Sequence, residues 1–412
     1  MSSTISNSTK VPTRRWINLV VRLLVYIGLS LLAFHEASNN SLIEECSGMD
    51  APLRALSSSD YETMVRYSSF KEARNHKVVL VTLTNGVEPD EVLANICLQR
   101  RFAAKLIDRL NDLRAAVIAF DKQYSTGACD VRGEETVALA KAMKESRAFV
   151  TRGLPTAITP EKTLDGKKTC LKEPETLDLP IPPERSGLLR LDADTRRSPL
   201  SWPVLQQDGA HVKRIETLAW VTARTADPES LHTIRLQRAF GSGEQPYSTM
   251  ADIPTFSAIT LLCGKGSGKA TDWRSCESIE KWDGINGAIV VVGDHNGDTD
   301  RHNTLRGSVY GVDLQANYVA ALLDQRYYLP LLSVRQTELA IVIFFIALQV
   351  LFWKYHSSIR SLVYAFSFWG IIFVGSIVIL AFTGYLVTIW VQGINLATIL
   401  LSFFEHKAAR ME

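Results

Sequence analysis

The chain has 412 residues, 46% of them hydrophobic, and a formal net charge of +2 from 45 basic and 43 acidic side chains. So balanced a charge excludes the basic footprint of a nucleic-acid binder, and neither a long low-complexity tract nor a clear internal repeat is present.

Residues 1–15 are polar and carry Lys10, Arg14 and Arg15, after which residues 16–34 are apolar except for Arg22. This segment reads as a first transmembrane helix behind a cytoplasmic tail, with Arg22 reaching back toward the headgroups. A cleaved signal peptide is the alternative, because the uninterrupted core runs only from Leu23 to Phe34. No small-x-small cleavage site follows, however.

Residues 35–335 have the composition of a globular domain. Continuous apolar runs at Lys77–Leu83, Ala115–Phe120, Ala148–Thr151 and Ala288–Gly293 predict strands covered on two faces, as in a parallel sheet. Apolar residues at helical spacing predict helices over Asp90–Leu110, Glu134–Ser146 and Gly311–Leu323, with a weaker one over Val212–Ala223. Thr156–Ser186, rich in Pro, Lys and Glu, reads as a surface excursion or lid. The alternation of strands and helices is that of an α/β fold.

Six cysteines (Cys46, Cys97, Cys129, Cys170, Cys263 and Cys276) all fall in this domain. Outside the cytoplasm they permit three disulfides among fifteen pairings, whereas in a reducing compartment all six would be free thiols. Cys263 with Cys276, across a Gly-rich loop, is the pairing selected, worth about 3 kcal/mol in the chain-entropy model.

Three places could carry chemistry. Asp121 follows a strand directly, where ligands of open α/β sheets bind; a simple turn-capping role is the competing reading. Cys263-Gly264-Lys265-Gly266-Ser267-Gly268-Lys269-Ala270 resembles a phosphate loop but lacks its first Gly and its Ser or Thr. Asp294 to His302 holds three carboxylates and two imidazoles, yet its Gly is fourth and Leu305 is twelfth, which fails the calcium-loop pattern. A looser polar site or a hydrogen-bonded turn remains. The Gly-x-Ser-x-Gly elbow, the His-Glu-x-x-His helix and a paired CxxC are all missing, so nothing argues for an enzyme, a cofactor or a bound metal.

Residues 336–404 are apolar except around Lys354–Arg360, which leaves room for three more spans, and 405–412 form a second tail with Lys407 and Arg410. Four spans put every basic cluster on one side, with both termini cytoplasmic and the large domain outside. The turn between the last two spans falls between Gly384 and Asn395. Gly370, Gly375, Ser376 and Gly384 allow close helix packing, within the bundle or in a homodimer.

This arrangement resembles the type-two CHASE sensor domain, an extracytoplasmic input module of bacterial adenylate cyclases, histidine kinases and protein kinases. Ala116–Asp121 looks like the family's strand ending in Asp. Gly187–Leu200 is similar to its Asp-x-Asp-Gly-x-x-Arg-Arg-x-Pro segment, shortened and without the Gly. Gly287–Gly293, Asp300-Arg301-His302 and Gly311–Asn317 look like its closing strand, Asp-x-His turn and following helix. Thr156–Ser186 and Gly241–Ser278 stand out as insertions. The resemblance implies an α/β extracytoplasmic domain, with a mainly parallel sheet covered by helices, on a bundle of four transmembrane helices in the inner membrane. It points to Asp121, Asp192, Asp194, Arg196, Arg197, Asp300, His302 and Asn317 as ligand-binding candidates, or as residues that pair with one another.

Members usually continue into a cyclase or kinase, whereas this sequence runs only to Glu412. The expectation is therefore a sensor without a fused output domain, relaying an outside ligand or protein through the bilayer to a separate signalling protein. A scaffold subunit of an envelope complex, or less readily a membrane-anchored envelope hydrolase, are the alternatives.

Overall fold

The computed structural model describes residues 76–331, apart from 125–128, 131, 155–156, 162–167, 173–178, 192–194, 206–211, 234–235, 238, 241–245, 297–299 and 305–306, and residues 358–386. They belong to two compact units, one ending at Leu329 and the other holding the later residues. The first span, the second and the last lie outside the described residues, as do Cys46, Asp192 and Asp194.

In the first unit the four apolar runs become the inner strands of one sheet. These are β1 (Val78–Thr84), β2 (Val117–Gln123), β3 (Phe149–Leu154) and β11 (Ile289–His295). Short edge strands β6 (Ser186–Leu188) and β10 (Thr255–Ser257) complete the order β10-β1-β11-β2-β3-β6, every pair parallel. The last of these strands in sequence, β11, thus enters between the first two.

Helices cover both faces. On one face lie α2 (Ile96–Asp112), α3 (Glu134–Glu145) and the short α6 (Ala258–Cys263), packed on Val79, Val81, Ile118, Phe120, Val290 and Val292. The opposite face carries α4 (Leu218–Ala226) and α7 (Gly311–Leu323), which pack on each other and on the inner strands. Leu106, Ile107 and Leu110 of α2 are fully buried, and each such side chain is worth about 1.5–3 kcal/mol of apolar burial.

The structure corrects three sequence expectations. Asp90–Leu110 is two helices, α1 (Asp90–Ala94) and α2, because extended Asn95 separates them and its side chain accepts from the Cys97 and Leu98 amides. Val212–Ala223 is not a helix throughout. Val212–Glu216 is strand β8, and α4 starts only after Thr217 caps it. Thr156–Ser186 holds β4 (Ala157–Glu161) and β5 (Lys168–Lys172), which join β7 (Ser201–Leu205) and β8 in a second sheet of order β4-β5-β7-β8.

Disulfides join Cys263 to Cys276 and Cys97 to Cys129. The Gly-rich loop inside the first is anchored by Trp273, which is fully buried, meets the Phe102 ring edge-on at 5.3 Å and donates to Glu91 Oε1 at 2.8 Å.

In the second unit, α8 (Ser358–Thr383) runs 26 residues without an acidic or lysine side chain and exposes Ile371, Val374, Val378 and Phe382. At 1.5 Å per residue it is about 39 Å long. It ends at Gly384, whose φ of +68° suits glycine. Among the described residues no helix is long and apolar enough to cross a membrane.

The Cys97–Cys129 bond closes a separation of 32 residues, so the double variant Cys97→Ser/Cys129→Ser is expected to lose about 3–4 kcal/mol, read as a lower urea midpoint.

A candidate ligand crevice at the carboxyl edge of the sheet

Strands β1 and β2 send the chain onward to helices on the α2 face, whereas β11 between them leads to α7 on the other. The connections therefore diverge at the carboxyl end of β11, the place where open α/β sheets bind ligands. Gly293 pairs there with Asp121, and Leu83 and Thr84 of β1 pair with Asp294 and His295. Against β3 the pairing jumps from Phe120 to Gln123, so Asp121 and Lys122 form a bulge. Such bulges re-aim side chains at functional edges.

On the α7 side the decisive residue is Gly293. A Cβ there would lie 2.5 Å from Val312 and 3.2 Å from the Asp121 Cβ, so its absence lets α7 close over Asp121. The first turn of α7 is built from acids. Asp313 accepts from the Tyr310 amide at 2.9 Å and lies 3.1 Å from His295 Nε2, while the His295 ring stacks on Tyr310 at 4.4 Å. Asp300 accepts from the Gly311 amide at 3.3 Å and sits 3.5 Å from His302 Nε2.

Asp121 is half-buried, and no hydrogen bond to its carboxyl is present among the described residues. Burial pushes this carboxyl up to about 8, with the carboxylates of Asp300 and then Asp294 acting in the same direction and Lys122 opposing them. Near neutral pH it is thus mostly a protonated acid, able to donate a hydrogen bond.

The α2 side is different in kind. Lys122, buried, pairs with Asp294 at 2.8 Å and donates to Gln99 Oε1 at 2.6 Å. Beside them Tyr124 is buried, its ring edge-on to Phe120, and its hydroxyl has no hydrogen-bond partner among the described residues. Burial and the Asp294 charge hold that phenol above its ordinary value. The edge as a whole can receive a small polar ligand, with a neutral acid and a phenol as donors and an ammonium as counter-charge. Among the described residues no three His, Cys, Asp or Glu side chains converge to hold a metal ion.

Of the residues singled out from sequence, Asp121, Asp300 and His302 come together here. Asn317 lies further along α7 and fastens the fold, accepting from the Ala251 amide at 2.7 Å and donating to the Asp313 carbonyl at 2.9 Å. Arg197 is engaged with Tyr247, by a bond of 2.8 Å to its hydroxyl and by lying over its ring, and the Arg196 carbonyl accepts from Ser248. Thr195, in the same segment, bonds to the Asn303 carbonyl and receives the Tyr318 hydroxyl, which holds that segment beside the hairpin preceding α7.

Sequence reasoning missed Lys122, Gln99, Tyr124 and Asp313 as members of this edge, whereas His295 fell within the Asp294–His302 segment it singled out. Lys122 was the most accessible of them, since it directly follows the strand-end Asp121.

Unfolded, an aspartate titrates near about 3.9. Between that value and about 8 the folded chain holds the extra proton, so ionising Asp121 subtracts stability as pH rises through this window. Asp121→Asn should therefore melt above the unaltered protein at pH 8 by at least about 2–4 °C, the effect of about 1 kcal/mol in a domain of this size. The gap should close toward pH 4, as calorimetry at the two pH values would read. Gly293→Ala, in contrast, should destabilise by about 1–3 kcal/mol at every pH through overpacking.

No curated protein and no solved structure matches the chain. The family model described as the CHASE2 domain matches residues 43–351. That span contains the whole sheet and its carboxyl edge, and the chain belongs to the CHASE2 domain family.

Proposed function

We propose that the protein is a membrane-embedded sensor: a small polar ligand binds outside the cytoplasm at the carboxyl edge of the sheet, and the change is relayed through the membrane spans to a separate output protein. The observation that carries this reading is Asp121, a half-buried acid without a hydrogen bond among the described residues, at the point where the connections diverge. A carboxyl kept there at a cost to stability is accounted for by a ligand that pairs with it.

Family membership supports a sensory role, since CHASE2 is a sensor domain family. Two disulfides fit an oxidising, extracytoplasmic compartment. The apolar runs of residues 16–34 and 336–404 suit spans of a bilayer core about 30 Å thick, and the basic residues of the tails and of the Lys354–Arg360 loop favour four spans with both termini inside. Ligand can transmit a signal no larger than its difference in affinity for two arrangements of the domain. Those arrangements would be read through the chain segments leading to the spans.

The full chain in detergent, melted against a panel of small polar metabolites, tests the proposal. A ligand at a hundred times its dissociation constant adds about 2.7 kcal/mol, and Asp121→Ala and Lys122→Ala should each abolish the shift. A shift that survives both substitutions would place binding elsewhere.

A further inference from the structure

His76 stands two positions before β1, at the start of the described part of the first unit. Its amide donates to Asp324 Oδ1 at 3.0 Å, and its ring Nδ1 lies 3.2 Å from the same oxygen. The other ring nitrogen, Nε2, lies 3.2 Å from Asp227 Oδ2. Asp324 ends α7, three residues before the unit's closing strand β14 (Tyr327–Pro330). Asp227 joins α4 to the short α5 (Pro228–Leu231) and caps it through the Glu229 and Ser230 amides. One imidazole therefore touches the approach to β1, the end of α7 and the α4–α5 turn.

Two carboxylates on one imidazole set a proton requirement. The neutral ring has a single N–H, so its other nitrogen must turn a lone pair toward a carboxylate oxygen; only the imidazolium donates to both. Asp227 stays an acceptor, because the Ser230 hydroxyl above all holds its carboxyl below the usual carboxylate range. Arg326 Nε lies 3.5 Å from the far oxygen of Asp324 while its Nη1 bonds to the Thr249 carbonyl, and the Lys77 ammonium turns away to the Asp283 and Asn286 carbonyls.

We infer that His76 is a proton-operated clasp joining the approach to β1, the end of α7 and the α4–α5 turn, closed as the imidazolium and opened on its Asp227 arm by deprotonation. Asp324 keeps the ring when the proton leaves, because the His76 amide also holds it. The inference rests on the sensor reading in one respect: β1 and α7 both bear the edge where it places the ligand, which makes the proton a second input to the same relay.

The test is amide hydrogen exchange of the α4–α5 turn in the full chain, at about pH 5.5 and about pH 8 and corrected for intrinsic rates. Protection should fall about tenfold at the higher pH, the size of one charge-assisted hydrogen bond. His76→Gln should be equally unprotected at both pH values. Asp227→Asn, whose amide can donate to the neutral ring, should be equally protected at both. A response that persists in His76→Gln, or none in the unaltered protein, overturns the clasp. Neither result bears on the ligand panel, so the two readings fail separately.

Discussion

Helix α7 reaches the carboxyl edge of the sheet through a gap the width of one missing methyl group. With any side chain at Gly293, Val312 would be displaced and the helix would ride higher on β11. Its closeness brings the first turn of α7 over Asp121, strips water from that carboxyl and sets Asp300 beneath Gly311. Desolvation, more than the neighbouring charges, keeps Asp121 protonated. The electrical character of the crevice is thus a consequence of packing, and it would relax if the helix lifted.

The two faces of the sheet give the crevice two chemistries. Strand alternation sends Asp121 and His295 toward α7, and Lys122, Asp294 and Tyr124 toward α2. An acidic edge therefore backs onto an ion pair whose lysine is buried and whose aspartate is partly exposed, with only the thickness of β2 and β11 between them. A ligand that touched the acid alone would leave Lys122 and Asp294 as they are. One that reached over the strand ends could trade places with Asp294 at the ammonium and free Gln99, and through it α2.

Much of the fold was legible because burial writes itself into composition. The four continuous apolar runs became the four inner strands, and Gly311–Leu323 became α7 with the same limits. Their spatial order was not legible, since apolar runs record burial and not partners; nothing local says that β11 enters between β1 and β2. The three-residue edges β6 and β10 are too short to show a period. At Val212–Ala223 the apolar spacing suggested a helix, but pairing with β7 claimed the first half and the Thr217 cap set the boundary. In the crevice, Asp121 and Asp300 could be read as strand-end and turn acids. Gln99 and Tyr124 could not, because their place depends on where α2 docks and on the bulge that turns the end of β2.

Gln99, Asp121, Lys122 and Tyr124 all lie between Cys97 and Cys129 in the chain. The bond between those cysteines puts Gln99 of α2 and the crevice residues at the end of β2 in one covalent macrocycle. Its members stay within one ring even when β11 and α7 have not yet arrived or have come away. The crevice then joins this ring to one later segment, β11 through α7. Change over evolutionary time can act on each part separately: the ring can exchange its polar residues without re-threading the sheet, and the docking segment can alter how firmly it closes.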